Sequence, residues 1–306
     1  MIIIKLKFIL CLVLAILLLG CNKVDQGNLK EINKNTDTIK EVKEGNLDIT
    51  DKNIYGFDNR NRIEEIDKNG YFEDSAGYKF DKYIKSDHFE LYYNSDNKSS
   101  KLNAEGSIEI LENEYGSIID FFGADENEIP IVKINMYEDY EQLRQVLIKE
   151  LNYDINLLKS INIAGFAVKT NTFYYILRHD ERNVDLKTLL VHEFTHNVTM
   201  ALANKKRHDD WMWEGLAMYL AQDKDKYEPY YEDMINNGLP QIIKLRFYSL
   251  DRYKYGYSMV EYIIEEYGKE KLIELFKEYE DFGKVLNVTE VEFRDGWIKF
   301  LNNKIS

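Results

Sequence analysis

His192-Glu193-Phe194-Thr195-His196 sets two imidazoles four residues apart with a carboxylate between them. On a helix this spacing puts both rings on one face, one turn apart, close enough to grip a single ion. Glu193 then points to the adjacent side, where it can take a proton from a metal-bound water. Glu214, in the string Trp211-Met212-Trp213-Glu214-Gly215-Leu216-Ala217, follows His196 by 18 residues and offers a third ligand. Two His and one Glu leave the fourth tetrahedral position open, as in catalytic rather than structural zinc. The residues therefore predict one Zn2+ held by His192, His196 and Glu214, with Glu193 as the general base of a hydrolysis.

The other candidate residues are weaker. The chain has five His; His88 falls in a strand and His179 in a charged turn, and neither has a ligand partner nearby in sequence. His208, in Lys205-Lys206-Arg207-His208, reads as a solvated loop residue. A tetrahedral oxyanion needs a donor besides the metal, and the chain has 23 tyrosines, with Tyr253, Tyr255 and Tyr257 clustered. Most of these are expected simply to pack.

The elements that must position these groups follow from hydrophobic periodicity. Val184, Leu186, Leu189, Leu190 and Val191 carry apolar positions at helical spacing into the His motif, predicting a half-buried helix over about 185–204. Strands are expected at 88–93 and 130–136, with helices at about 103–122 and 138–151. Gly165 to Val168 and Thr172 to Leu177 read as a hairpin or two edge strands joined through Lys169-Thr170-Asn171. Helices are expected at about 212–222, 228–247, 256–280 and 289–303. Strands early and helices late give an α+β fold.

The strings Leu189 to His196 and Trp213 to Leu220, with Tyr253-Lys254-Tyr255-Gly256-Tyr257-Ser258, resemble the gluzincin zinc metallopeptidases, in particular the bacterial peptidase MA-like families. His88 to Tyr93, Phe121-Phe122-Gly123 and Pro130 to Ile134 resemble that family's opening strand, helix and strand. The similarity covers about residues 85 to 306. It implies a zincin-like fold, a strand-rich N-terminal lobe and a helical C-terminal lobe flanking a zinc cleft, and a peptide or protein substrate. Tyr253 resembles the Tyr of a Tyr-x-x-Gly that opens a helix in related aminopeptidases and steadies the transition state; Tyr257 is next in line. The resemblance also implies a substrate strand paired along a sheet edge near the metal. Ala164 to Val168 is the expected edge, where the small Gly165 and Ala167 let a second chain approach. Thermolysin-like relatives carry an Asp four residues past the third ligand; here that position is Met218, so the outer partner of His192 is unassigned.

Lys5 and Lys7 precede an apolar run from Phe8 to Leu19. The run is short for a spanning helix, which needs about 20 residues, and suits a signal-peptide core. Leu18-Leu19-Gly20-Cys21 resembles the bacterial lipobox, which implies cleavage before Cys21, lipid on its thiol, and a lipoprotein anchored to the cell membrane on its extracytoplasmic side. Cys11, the other cysteine, lies inside the leader, so the mature chain can form no disulfide framework. The formal charge is −14, and removing the two lysines of residues 1–21 takes it to −16. Such a chain is repelled by phosphate backbones, so no nucleic-acid partner is expected, and the membrane is reached through the lipid. The expected organisation is a leader at 1–21, a polar tether or extended arm at 22–84 and a catalytic domain at 85–306.

The expectation is thus a membrane-anchored zinc metallopeptidase. An idle lipoprotein of the same fold, serving as a binding or adhesion module, is the alternative from a different class. A module would not require a general base between its ligands, which favours the enzyme. A zinc hydrolase of non-peptide amides would use the same residues.

Overall fold

The computed structural model describes residues 64–65, 72–95, 98–151, 164–177, 185–203, 208–222, 228–246 and 251–306. The apolar leader, Cys21, His179 and residues 22–63 lie outside the described residues. Among the described residues, no helix is long and apolar enough to cross a membrane.

The fold is α+β. One sheet runs in the order β1 (Glu64–Glu65), β4 (Lys82–Lys85), β5 (Phe89–Tyr93), β6 (Val132–Tyr137), β8 (Thr172–Ile176), β7 (Gly165–Lys169). A separate ribbon pairs β2 (Phe72–Glu73) with β3 (Lys79–Phe80). Strands β5, β6 and β8 are mutually parallel, while β4 and β7 are antiparallel to their neighbours. Parallel neighbours need long crossovers. Helix α1 (Lys98–Phe122) connects β5 to β6, and α2 (Tyr140–Leu151) follows β6.

Strand periodicity of two explains why both faces of the sheet are covered. Along β8, Phe173 and Tyr175 enter the main core, while Tyr174 and Ile176 enter a second core with Leu143, Val146 and Leu147 of α2. Helix α1 lies on the main-core side through Ala104, Ile108, Leu111, Tyr115, Ile118 and Phe122, spaced by three or four residues. The main core then continues without a break into the C-terminal helices, down to Trp297 and Leu301.

Those helices are α3 (Leu186–Leu202), α4 (Asp210–Leu220), α5 (Tyr231–Asn237), α6 (Arg252–Tyr267), α7 (Lys269–Lys277), α8 (Phe282–Leu286) and α9 (Glu290–Ile305). Asp185 caps α3 by accepting from the Thr188 N–H, and Thr289 forms a capping box with Glu292 at the start of α9. The helix expected over 228–247 is two short 3-10 turns, Glu228–Tyr230 and Ile242–Leu245, around α5. Gly238 stops α5 at φ 75°, and Pro240 prevents a restart. The helix expected over 256–280 starts earlier, at Arg252, and breaks at Gly268 with φ 90°. Helix α3 is not half-buried: every residue from Leu189 to Thr199 is buried, because sheet and helices enclose it.

Residues 72–84, grouped with the tether on composition, belong to the folded unit. Strand β4 pairs with β5, Phe80 and Ile84 are buried, and Asp74 accepts a 2.8 Å hydrogen bond from the Tyr137 hydroxyl. The stretch shows no amphipathic period because its contacts come from pairing with a strand that follows it and from single aromatic insertions.

Helices α4 and α6 cross almost backbone to backbone. A Cβ on Gly215 would lie 2.4 Å from the Gly256 carbonyl oxygen, and one on Gly256 would lie 2.6 Å from the Trp211 oxygen. Gly215→Ala should therefore destabilise the protein by roughly 3 kcal/mol, at the upper end of ordinary overpacking. A Cβ on exposed Gly116 of α1 meets nothing, so Gly116→Ala should be neutral or gain up to about 1 kcal/mol from helix propensity. Urea unfolding of the two variants measures the difference, and equal midpoints would show that the crossing tolerates separation.

Candidate metal centre

Helix α3 presents His192 and His196 on one face, their rings near perpendicular with centroids 4.7 Å apart and their Nε2 atoms separated by 3.1 Å. Helix α4 brings up Glu214, whose Oε2 is 3.4 Å from His192 Nε2 and 3.6 Å from His196 Nε2. All three residues are buried, and the group could hold a metal ion. Two observations test that fit. Zinc–ligand bonds of about 2.0–2.2 Å in a tetrahedron require ligand atoms roughly 3.3–3.5 Å apart, close to the triangle found. Neither carboxylate oxygen of Glu214 accepts a hydrogen bond among the described residues, although Glu214 is fully buried. The Arg252 guanidinium stands 3.7 Å from Oε1, and a cation between the three groups would satisfy Oε2.

The protonation states suit a cation. Burial alone would raise the Glu214 carboxyl, but the attraction of His196 and His192 outweighs it and holds the group down at about 2. Burial also pulls the His196 imidazole below its usual value, favouring the neutral form that ligates. Flat against His196 lies Trp213, with centroids 5.3 Å apart and planes at 13°.

Glu193 is buried beside the ligands, and burial pushes its carboxyl up to about 7, with the Glu214 charge adding and the Ala167 backbone N–H hydrogen bond opposing. The donor comes from β7, the terminal strand of the described sheet order. Gly165 on the same strand passes so near that a Cβ there would lie 2.7 Å from Glu193 Oε1. The strand expected to be an edge thus abuts the expected base, and Gly165 and Ala167 face it together because they are two residues apart.

Tyr253 lies in the first turn of α6, buried, with its hydroxyl raised well above 10 by burial and by the charges of Glu214 and Glu193. Tyr257, one turn on, packs its ring against Tyr219 at 6.0 Å. The Tyr253 hydroxyl senses both site carboxylates.

His208 is not solvated. It is buried, stacked on Phe276 at 3.9 Å and on Tyr279 at 5.0 Å, with Nδ1 2.6 Å from Glu280 Oε1. Burial lowers the imidazole and raises the Glu280 carboxyl, so enclosure disfavours the charged form of each. The sequence concealed this because Glu280 is 72 residues away. Trp213, the ring stacked on His196, lies 6.4 Å from the His208 ring. His88 hydrogen-bonds Glu112 at 2.6 Å and stacks on Tyr115.

Sequence reading missed Arg252. It is fully buried, with Nε 3.7 Å from Glu214 Oε1, Nη1 3.8 Å from Asp210 Oδ2, and Nη2 donating to the Tyr253 hydroxyl at 3.3 Å. Its place directly before the Tyr-x-x-Gly string was the available signal. Compared with known proteins, the chain matches no family model and no curated sequence.

Proposed function

We propose that this chain is a zinc-dependent peptidase of zincin-like architecture, anchored to the extracytoplasmic face of the cell membrane by lipid on Cys21. One observation carries the reading: ligand atoms of His192, His196 and Glu214 converge to 3.1–3.6 Å from one another, and the buried carboxylate of Glu193 stands alongside. His192, His196 and Glu214 would hold the ion. Bound there, zinc would supply Lewis acidity, polarising a substrate carbonyl and acidifying the attacking water.

The protein's own groups carry the remaining steps. Glu193 accepts the proton of the attacking water and delivers it to the leaving amine. The Ala167 N–H fixes the orientation of that carboxylate. The Tyr253 hydroxyl donates to the developing oxyanion. A peptide lies extended along the outer edge of β7, the terminal strand of the described sheet order, pairing backbone to backbone. An idle binding module of the same fold would have no use for a general base in this position.

Elemental analysis of the purified full chain should find about one zinc, and His192→Ala or His196→Ala should lose it. Unchanged zinc in both variants rejects the centre. Digestion of a broad peptide library, set beside simple amides, tells a peptidase from a hydrolase of other amides or a binding module. Separately, Cys21→Ser should abolish fatty-acid labelling of the expressed chain. Labelling that persists rejects the lipid anchor.

A further inference from the structure

We propose that Arg252 is a positioning residue that ties one metal ligand to the oxyanion donor. Its guanidinium orients the Glu214 carboxylate from behind and, by donating to the Tyr253 oxygen, directs the Tyr253 proton toward the substrate. The inference rests on the peptidase reading above.

The argument starts from burial. A guanidinium stays charged at any working pH, and Arg252 is 0% exposed, so its charge must be met by partners. Three edges of the planar fork meet three different groups. Nε faces Glu214 Oε1 at 3.7 Å, Nη1 faces Asp210 Oδ2 at 3.8 Å, and Nη2 donates to the Tyr253 hydroxyl at 3.3 Å. The guanidinium carbon also stands 4.8 Å from the centroid of the Tyr253 ring, fixing the ring as well as the oxygen.

Two consequences follow. The oxygens of Glu214 are divided: Oε2 faces His192 and His196, and Oε1 faces Arg252. The positive charge behind Oε1 favours the orientation in which Oε2 faces the ion. This is how outer partners tune a metal site. The Tyr253 hydroxyl has one proton to donate, and its oxygen already accepts from Arg252. What it has left to offer is donation, which is what an oxyanion requires. Asp210 and Glu214 are both on α4, and Arg252 and Tyr253 both open α6. The close Gly215–Gly256 crossing is therefore what brings the fork within reach.

Arg252→Lys keeps the charge but has no second nitrogen to span Glu214 and Tyr253. In the full chain, with metal-free melting checked against wild type, the zinc Kd measured by chelator competition should rise about 10–100-fold. At saturating zinc, kcat should fall at least about tenfold with KM within about twofold, and Arg252→Lys should cost little further kcat in a Tyr253→Phe background. An unchanged zinc Kd, or fully additive kcat losses, overturns the proposal. A structural role alone would lower the melting temperature without either signature. A readout needing no substitution covers a variant that fails to fold. In wild type carrying isotope-labelled arginine, a slowly exchanging Nε–H resonance should shift on adding zinc, and its failure to respond also overturns the link to Glu214. A wild-type chain that holds no zinc or cleaves no peptide rejects the peptidase reading itself, a result separate from those that judge Arg252.

Discussion

Glu193→Gln is expected to lower kcat by about 10²–10⁴ while the protein keeps its zinc. The substitution is nearly isosteric, which matters because β7 leaves no spare volume: a Cβ on Gly165 would already fall 2.7 Å from Glu193 Oε1. The glutamine carbonyl can still accept from the Ala167 N–H, so strand and helix should hold their places. What disappears is basicity, since an amide oxygen does not take a proton from water at working pH. Zinc stays because Glu193 is outside the group formed by His192, His196 and Glu214. Glu214→Ala should behave in the opposite way and weaken metal retention. Parallel measurement of zinc content and peptide turnover in both variants decides the matter. Zinc released by Glu193→Gln and kept by Glu214→Ala would reverse the assigned roles.

Tyr253→Phe should follow in size, with kcat reduced by roughly 10²–10³, or about 3–4 kcal/mol, and zinc content unchanged. The ring is buried beneath the Arg252 guanidinium, and phenylalanine preserves that packing. The hydroxyl keeps its proton under all working conditions, because burial and the neighbouring carboxylates raise it well above 10. Its hydrogen bond strengthens only as charge develops on the substrate oxygen, so KM should stay near its original value. Tyr257→Phe is the control, since that ring packs against Tyr219. A fall of no more than a few-fold in both variants would place the oxyanion donor on another residue.

Much of the site could be read from sequence because it rests on short-range geometry. Four residues make about one helical turn, so the His192–His196 pair was assured once α3 formed. Likewise, a period of two put Gly165 and Ala167 on one face of β7. Two helix stops were also present as Gly238 and Gly268, but apolar runs on either side hid them. Tertiary structure decided everything that depends on which distant segments meet. Glu214 meets His192 and His196 because α4 packs beside α3, and Arg252 reaches it because Gly215 and Gly256 let α6 approach α4 without intervening side chains. His208 lost its water to Phe276 and Tyr279, residues far along the chain. The raised carboxyl of Glu193 arises the same way: residue type supplies a proton-binding group, and only enclosure by β7 and the neighbouring helices removes the solvent that would hold it near its ordinary value. Chemical identity and local period belong to the sequence, whereas desolvation belongs to the assembled fold, because water is excluded by many segments at once.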